Sequence, residues 1–374
     1  MSRHYLDHAS TSPLRPEARQ AIVDAYDRGL GDPARIHTEG MEARALVEQA
    51  REQVAMLVGA RSREVVFTSG ATESIAAAVW GASRRGSHQV LTAVEHSAVR
   101  EQAERAGEVT VVGVDRLGRV DPAEVLGAIR PGATSVVHVQ WGNHEVGTRQ
   151  PLADIVHPCR DQGVLVHVDA AQAVGHDPIS FADLGADLVS VSAHKFGGPA
   201  GMGALLVRRG LRLEPLLLGG DQERARRGGH ENTPAILGFG AAATALLDAD
   251  RLGIESTSNR RQTERVVEVA TQIDGVEALG DPNDRLPHIV CLGIAGVEPQ
   301  PVLIGLDRAG VSVHSGSSCS SESIEPSPVL EAMGVDAQRS LRISVGWSTT
   351  DADIDALLDA LPRVVADLRR LAGR

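Results

Sequence analysis

Lysine is almost absent from this chain of 374 residues. The 37 lysine and arginine residues include a single lysine, Lys195, and are otherwise arginine. A bias of this strength removes every lysine that arginine can replace. A guanidinium group stays protonated, so arginine cannot replace a lysine that must react as a neutral amine. We therefore interpret Lys195 as a functional residue and not as a surface charge.

Aromatic residues are also scarce, at 2% of the chain, and positive charge is concentrated nowhere. The formal net charge is −12, and no basic block occurs. Nucleic-acid binding needs a positive surface to neutralise phosphates, and single-strand binding usually adds aromatic platforms for the bases. The composition therefore disfavours a nucleic-acid partner.

Long apolar runs and cysteine pairs are missing as well. No stretch reaches the roughly 18 apolar residues that identify a membrane span, and MSRHYLDHAS contains no signal-like apolar run. The three cysteines, Cys159, Cys291 and Cys319, are far apart and form no CxxC pair. We therefore expect a cytoplasmic protein with no disulfide framework, membrane partner or metal site.

Short segments rich in Val and Leu alternate with helical segments between residues 60 and 210. These segments are apolar on both faces, which is typical of strands in a parallel sheet covered on both sides. The pattern predicts the α/β class, with a mostly parallel, doubly wound sheet in a large domain over residues 16–250. The predicted strands are EVVFTSG, HQVLTAV, EVTVVGV, TSVVHVQW, VLVHVDA, DLVSVSA and GALLVRR.

The composition changes near residue 250, where a long charged segment is interpreted as a connecting helix. It leads into the predicted strands HIVCLGIA, VSVHSG and SLRISVG, which alternate with helical patterns. The last helix begins with acidic residues and ends with arginines, as the helix dipole favours. We expect residues 1–15 and 251–374 to form a smaller α+β domain.

Polar residues follow the predicted strands of the large domain. Because ligands bind at the carboxyl edge of an open α/β sheet, we expect these residues to line one cleft. A lone Asp or His at a strand end is more often a structural residue, such as a helix cap, but five polar strand ends in one sheet indicate a site. The residues are Gly70–Glu73, Glu95 and His96, Asn143–Glu145, Asp169 and Gln172, and Ser192, His194 and Lys195.

One lysine, one buried carboxylate, a stacking imidazole and a helix N-terminus together fit pyridoxal phosphate chemistry. The lysine amine bonds to the cofactor aldehyde, and the carboxylate keeps the pyridine nitrogen protonated. The N–H groups of the helix N-terminus bind the phosphate. A P-loop lysine is excluded, because the chain has no GxxxxGK[ST] motif.

Ordered motifs along nearly the whole chain resemble those of cysteine desulfurases in the class V aminotransferase group. The resemblance is to the branch that serves iron–sulfur clusters and tRNA thiolation. It implies fold type I of the pyridoxal-phosphate transferases and a homodimer with active sites at its interface. The motifs are YLDHASTSPL, IHTEG, FTSGATES, VEHSAV, NHEVGT, HVDAAQAVGH, SAHKFGGPAGMGAL, GGDQER, RGGHENTPAILGFG, SGSSCSS, EPSPVLEAMGV and LRISVG.

The resemblance also implies a role for each motif residue. Lys195 would be the Schiff-base lysine, and Asp169 would pair with the pyridine nitrogen. Cys319 would take up the substrate sulfur, while His96 would stack on the ring and accept a proton. The other implied contacts are to the ring hydroxyl from Gln172, to the phosphate from Ala71, Thr72, Ser192 and His194, and to the substrate carboxylate from Arg342.

Three positions depart from the family pattern. His144 stands where the family has a second asparagine after Asn143, at a position that contacts the cofactor and the substrate carboxylate. His230 stands where the family has a threonine that reaches the phosphate in the partner subunit. Asp221 replaces the last glycine of a GGG run. The first two changes leave the exact reaction open.

Two reactions fit these residues. In the first, L-cysteine is converted to L-alanine, and Cys319 receives the sulfur as a persulfide for transfer to an acceptor protein. In the second, a C–S β-lyase acts on cysteine, cystine or an S-substituted cysteine and does not need Cys319. A third, non-enzymatic interpretation is a cofactor-binding scaffold, which would be expected to have lost Lys195 or Asp169.

Overall fold

The computed structural model describes residues 3–315 and 326–373. Within them the large sheet has seven strands. In spatial order these are β2 (Val65–Thr68), β8 (Gly203–Val207), β7 (Leu188–Ser192), β6 (Leu165–Asp169), β5 (Thr134–Gln140), β3 (His88–Thr92) and β4 (Glu108–Val112). Only β8 runs against its neighbours in this described sheet, so the predicted mostly parallel sheet is confirmed.

The strands of the large sheet are apolar because helices cover both of its faces. β5, β6 and β7 are buried along their whole length, as predicted for a parallel sheet. Burial on both faces is a wrong prediction for β4, where Val111 is 53% exposed. β4 lies at the margin of the sheet, where the covering helices no longer shield every side chain.

Helices connect the strands of the large sheet as crossovers, which confirms the predicted doubly wound α/β fold. No helix in the described ranges is both long and apolar enough to cross a membrane. The helices of this part are α1 (Pro16–Asp27), α2 (Thr38–Leu57), α3 (Ala71–Ser83), α4 (Ser97–Ala106), α5 (Pro122–Gly127), α6 (Leu152–Asp161), α7 (Phe181–Leu184), α8 (Gln222–Ala225) and α9 (Thr233–Leu247).

The rest of the chain contributes a smaller α+β unit with its own hydrophobic core. Its antiparallel sheet has the order β12 (Ser340–Ser344), β10 (Ile289–Ile294) and β9 (Val276–Leu279). Its helices are α10 (Arg251–Ala270), α11 (Pro299–Arg308), α12 (Pro328–Ala332) and α13 (Asp351–Leu371). The boundaries 16–250, 1–15 and 251–374 stay a prediction.

One strand prediction for the small unit is wrong in extent. The segment VSVHSG contains only the two-residue strand β11 (Val311–Ser312). This strand pairs in parallel with β1 (His4–Tyr5), and His314 of the same segment forms an isolated antiparallel bridge with Arg342 of β12. The N-terminal segment provides that partner, and a two-residue strand leaves almost no pattern in a sequence. The strand β9 was also missed, because two of its four residues, Glu277 and Ala278, are exposed and interrupt the apolar pattern.

Buried histidines form a hydrogen-bonded row across the large sheet. The Nδ1 atoms of His138 and His167 are 3.0 Å apart. His138 Nε2 lies 2.8 Å from Gln89 Oε1, and His167 Nε2 lies 2.8 Å from Ser190 Oγ. Burial lowers the pKa of His138 to about 3 and holds the pKa of His167 well below its ordinary value. Both rings are therefore neutral in the folded protein at pH 7.

We expect these two histidines to make the free energy of unfolding fall as the pH is lowered below about 6.5. The unfolded chain binds protons at both rings there, whereas the folded chain does not, so each ring contributes a loss of about 1.4 kcal/mol per pH unit. Urea unfolding at a series of pH values measures the slope. His138→Gln should reduce the slope, and the exposed control His230→Gln should not. A slope unchanged by His138→Gln would contradict this.

Candidate active site

The carboxyl ends of the large-sheet strands surround a cavity of about 360 Å³. Each of the five polar strand ends contributes at least one residue to its walls. This volume suits a small organic ligand. The lining residues are Ser69–Glu73, Ile75, His96, Gln140, Gly142, His144, Asp169, Ala171, Gln172, Ser192, His194, Lys195, Ala200 and Gly201.

Lys195 lies in a short 3₁₀ helix, Ala193–Phe196, directly after β7. Its Nζ donates hydrogen bonds to the carbonyl oxygens of Ala9 at 2.6 Å and Ser10 at 3.1 Å. Burial, with a smaller contribution from Arg342, lowers the pKa of Lys195 to about 8. A neutral amine is therefore accessible near pH 8, which arginine could not offer.

Asp169 is the last residue of β6, and its buried side chain lines the cavity. Its Oδ1 accepts a hydrogen bond from Ala171 N–H at 3.0 Å. Burial raises the pKa of Asp169, although His96 and Lys195 partly oppose the effect. A carboxylate removed from water in this way is stabilised by a cationic N–H partner. The protonated nitrogen of a pyridine ring is such a partner.

The N-terminus of α3 forms the wall of the cavity beside Thr72. Its N-cap is Gly70, and no side chain in the described part of the chain caps it, so the first-turn N–H groups suit an anion. Gly203 lets β8 approach closely, because a Cβ there would lie 2.6 Å from Gly70 Cα. The same wall holds Ser192 and His194.

His96 and His144 meet edge to face, with ring centroids 5.2 Å apart. His96 is the N-cap of α4, and its Nδ1 accepts a hydrogen bond from Ala98 N–H at 3.0 Å. Burial lowers the pKa of both rings, so they are neutral. A neutral His96 whose Nδ1 accepts must carry its proton on Nε2. It can accept a further proton only after the bond to Ala98 breaks, and its proton-acceptor role stays a prediction.

Arg342 on β12 lies behind the cavity wall and is 1% exposed. Its Nη1 donates to the carbonyl oxygen of His144 at 2.9 Å, and its Nη2 donates to Asp7 Oδ1 at 3.1 Å and Ser10 Oγ at 2.8 Å. Its Nε has no hydrogen-bond partner among the described residues. Arg342 is not a lining residue in this geometry, and its carboxylate-binding role stays a prediction.

Three further predicted residues lie outside the cavity wall or outside the described chain. Asn143 Oδ1 accepts from the N–H groups of Glu145 and Val146, both at 2.8 Å, so its amide shapes a turn. The side chain of His230 is 67% exposed. Cys319 lies outside the described residues. The functional roles of these three residues stay predictions.

The sequence analysis missed the contribution of the N-terminal segment. Ala9 and Ser10 contact Lys195 through backbone carbonyl groups, which leave no signal in residue type. It also missed His176 and His288, which are buried behind Gln172 and Lys195. A lone histidine carries little information in a sequence, so only the packed structure brings these two together.

The sequence profile described as aminotransferase class-V matches residues 4–357. The chain belongs to this family. The cysteine desulfurase IscS of Dictyoglomus turgidum is 40% identical to this protein, over 98% of this chain and 96% of that one. Cysteine desulfurase IscS 1 of Archaeoglobus fulgidus is 36% identical over 98% of each chain.

Several solved structures are similar to this protein over most of its length. A NifS-like protein superposes with a TM-score of 0.91 at 30% identity, covering 98% of this chain and all of that one. The structure titled SspA in complex with cysteine has a TM-score of 0.81 at 30% identity, covering 91% of this chain and 98% of that one. The fold is therefore that of the NifS-like enzymes.

We predict that Lys195 of the cofactor-free protein titrates near pH 8 and not near the ordinary lysine value of 10.5. Because the chain has one lysine, carbon-13 labelling of lysine gives one side-chain NMR signal whose titration is unambiguous. Arg342→Gln should raise the midpoint by removing a nearby positive charge, and Asp169→Asn should lower it. A wild-type midpoint above pH 10 would contradict the description of Lys195.

Proposed function

We infer that this member of the class-V family is a pyridoxal-phosphate-dependent cysteine desulfurase that converts L-cysteine to L-alanine. The observation that carries the inference is the meeting of Lys195, Asp169 and His96 in one cavity. The chain in which they meet is 40% identical to a cysteine desulfurase over nearly its whole length. The lyase alternative has no support among the relatives reported above.

Pyridoxal 5′-phosphate is the cofactor, and when bound it supplies an electron sink for a carbanion at the substrate α-carbon. The residues of the cavity suit it. Lys195 offers the amine, Asp169 the partner of the ring nitrogen, and the N-terminus of α3 with Ala71 and Thr72 the phosphate site. Glu73 does not oppose the phosphate strongly, because Arg227 Nε donates to its carboxylate at 2.9 Å.

Other residues of the cavity wall provide the remaining contacts to the phosphate and the ring in this proposal. We propose that Ser192 and His194 would bind the phosphate and that Gln172 would contact the ring hydroxyl; all three line the cavity. His96 would stack on the ring, with its own proton on Nε2 because Nδ1 accepts from Ala98. Each of these roles is part of the proposal.

Lys195 Nζ moves the substrate proton in this mechanism. The pKa of about 8 allows the amine to take a proton from the substrate α-carbon at the pH of the cell. The carbonyl groups of Ala9 and Ser10 accept hydrogen bonds from the protonated form. The same side chain can therefore take up the proton and return it without leaving the cavity.

Cys319 accepts the sulfur. Its thiolate attacks the substrate sulfur, an S–S bond forms, and the Cβ–S bond of the substrate breaks. The electron pair of that bond stays on the carbon, which takes up a proton and becomes the methyl group of L-alanine. Cys319 is left as a persulfide, from which the sulfur passes to an acceptor protein. His96 is the candidate acceptor of the Cys319 proton and must release Ala98 to act.

Arg342 binds the substrate carboxylate in this proposal, because its guanidinium group matches a carboxylate in two hydrogen bonds. It must exchange part of its contacts with Asp7 and Ser10 to do so. His144 lies in the cavity wall beside it, and Asn143 shapes the turn that carries His144. A related sulfur amino acid would need the same carboxylate contact.

A homodimer is part of the proposal, with His230 of one subunit close to the phosphate site of the other. The exposure of His230 leaves it accessible for such a contact. The cytoplasmic location and the identity of the acceptor protein are predictions from the sequence. They do not affect the chemistry of the cavity.

The products formed from L-cysteine distinguish the two reactions. We expect the wild-type protein to form alanine and Cys319→Ala to lose alanine formation. Cys159→Ala is the matched control, because that thiol is buried and its pKa is raised to about 12, which leaves it unreactive. Pyruvate formation at the full rate by Cys319→Ala would show a lyase instead.

A further inference from the structure

Two buried histidines stack behind the cavity. The rings of His176 and His288 lie parallel, with centroids 3.5 Å apart and an angle of 11° between their planes. His176 follows β6 of the large sheet, and His288 directly precedes β10 of the small one. The stacked pair therefore joins the two sheets. His176 ends the motif HVDAAQAVGH, but the sequence assigned no role to either ring, and the proposed mechanism uses neither.

The amide of Gln172 is held between two fixed partners. Its Nε2 donates to the carbonyl oxygen of Ala9 at 2.7 Å. A carbonyl oxygen can only accept, so the nitrogen of the amide lies on that side and Oε1 lies on the other. There Oε1 is 3.3 Å from His288 Nε2. An oxygen can only accept as well, so His288 carries its proton on Nε2.

The other ring of the stack, His176, contacts the backbone of Lys195. The carbonyl oxygen of Lys195 is 3.0 Å from His176 Nε2 and also accepts from Ser12 Oγ at 2.9 Å. His176 therefore carries its proton on Nε2 too. One stacked pair thus contacts both Lys195 and Gln172, the residues on which the cofactor ring depends.

Both rings of the stack are neutral. Burial lowers the pKa of His176 to about 3 and holds the pKa of His288 well below its ordinary value. The positive charge of Lys195 and any protonation of His8 oppose a proton on either ring, and Arg15 acts in the same way on His176 and Arg342 on His288. Each ring therefore keeps one N–H donor in the same place at pH 7 and above.

We propose that His288 is a positioning residue for cofactor binding: its Nε2–H holds the oxygen of the Gln172 amide away from the cavity. The amide then presents only N–H to the ring hydroxyl of the cofactor. A donor favours the ionised form of that hydroxyl. The inference rests on the proposed function only in requiring pyridoxal phosphate in the cavity.

The test compares variants by two measurements that do not need turnover. The first is the dissociation constant of pyridoxal phosphate from the cofactor-free protein. The second is the pH midpoint of the visible absorbance change of the bound cofactor. His288→Phe keeps an aromatic ring against His176 but removes the donor, and His288→Gln restores a donor. His88→Leu is the control, because His88 is equally buried but its ring bonds Thr134 and Thr110 and no other described residue, away from the cavity.

We expect His288→Phe to weaken pyridoxal phosphate binding about tenfold, as for the loss of one charge-assisted hydrogen bond. The pH midpoint should move upward, because the ionised hydroxyl loses a donor. His288→Gln should recover most of both changes, and His88→Leu should change neither even where it lowers thermal stability.

Four results would decide against an assignment, three of them against the positioning role and one against the proposed function. Identical dissociation constants and midpoints in His288→Phe and wild type would overturn the positioning role, and so would equal changes in His88→Leu. Nitrogen-15 NMR of histidine in the wild-type protein should show the Nε2–H form of His288, and an Nδ1–H form would overturn the role without any variant. Failure of the wild type to bind pyridoxal phosphate would instead overturn the proposed function.

Discussion

The hydrogen bonds from Lys195 to the carbonyl groups of Ala9 and Ser10 are the contacts on which the site depends. An ammonium group removed from water needs acceptors, and backbone carbonyls provide them without a negative charge that would hold the proton. Its pKa can therefore fall to about 8. The segment that carries these carbonyl groups also connects the two parts of the molecule. Ser12 N–H donates to the carbonyl oxygen of His194, just after β7, and His8 N–H donates to the carbonyl oxygen of Ser344 in β12. The same N-terminal segment thus both binds the side chain of Lys195 and connects the large sheet region to the small sheet.

Few of the groups around the cavity are charged at pH 7, and each charged group therefore interacts more strongly with a ligand of opposite charge. Glu95, directly behind the wall, has a pKa raised to about 8 by burial and is mostly protonated at pH 7. The histidines around the wall are neutral. Glu73 also lines the cavity but is paired with Arg227, so Asp169 is the carboxylate available to a pyridine nitrogen. Arg342 lies close enough to lower the pKa of Lys195. In a low-dielectric site, such isolated groups interact strongly with an oppositely charged ligand.

Patterns of several residues were predictable from the sequence, and single contacts were not. The buried strands around Val168 and Val189 have a run of apolar residues that only a covered parallel sheet requires, and the polar ends of those strands predicted the cavity. The pattern predicted that Asn143 follows a strand of the site, but not that its amide closes a turn. Backbone carbonyls such as that of Ala9, and pairs such as His176 and His288, cannot be found this way because they depend on chain segments far apart in sequence.

The most direct test of the account is chemical capture of the cofactor on the lysine. Borohydride reduction of the protein loaded with pyridoxal phosphate, followed by mass spectrometry of its peptides, locates the amine that holds the cofactor. The account predicts one pyridoxyl group, on the peptide that contains Lys195, and none on that peptide in Lys195→Arg. Capture elsewhere, or binding without capture at Lys195, would contradict the central claim that this one lysine holds the cofactor.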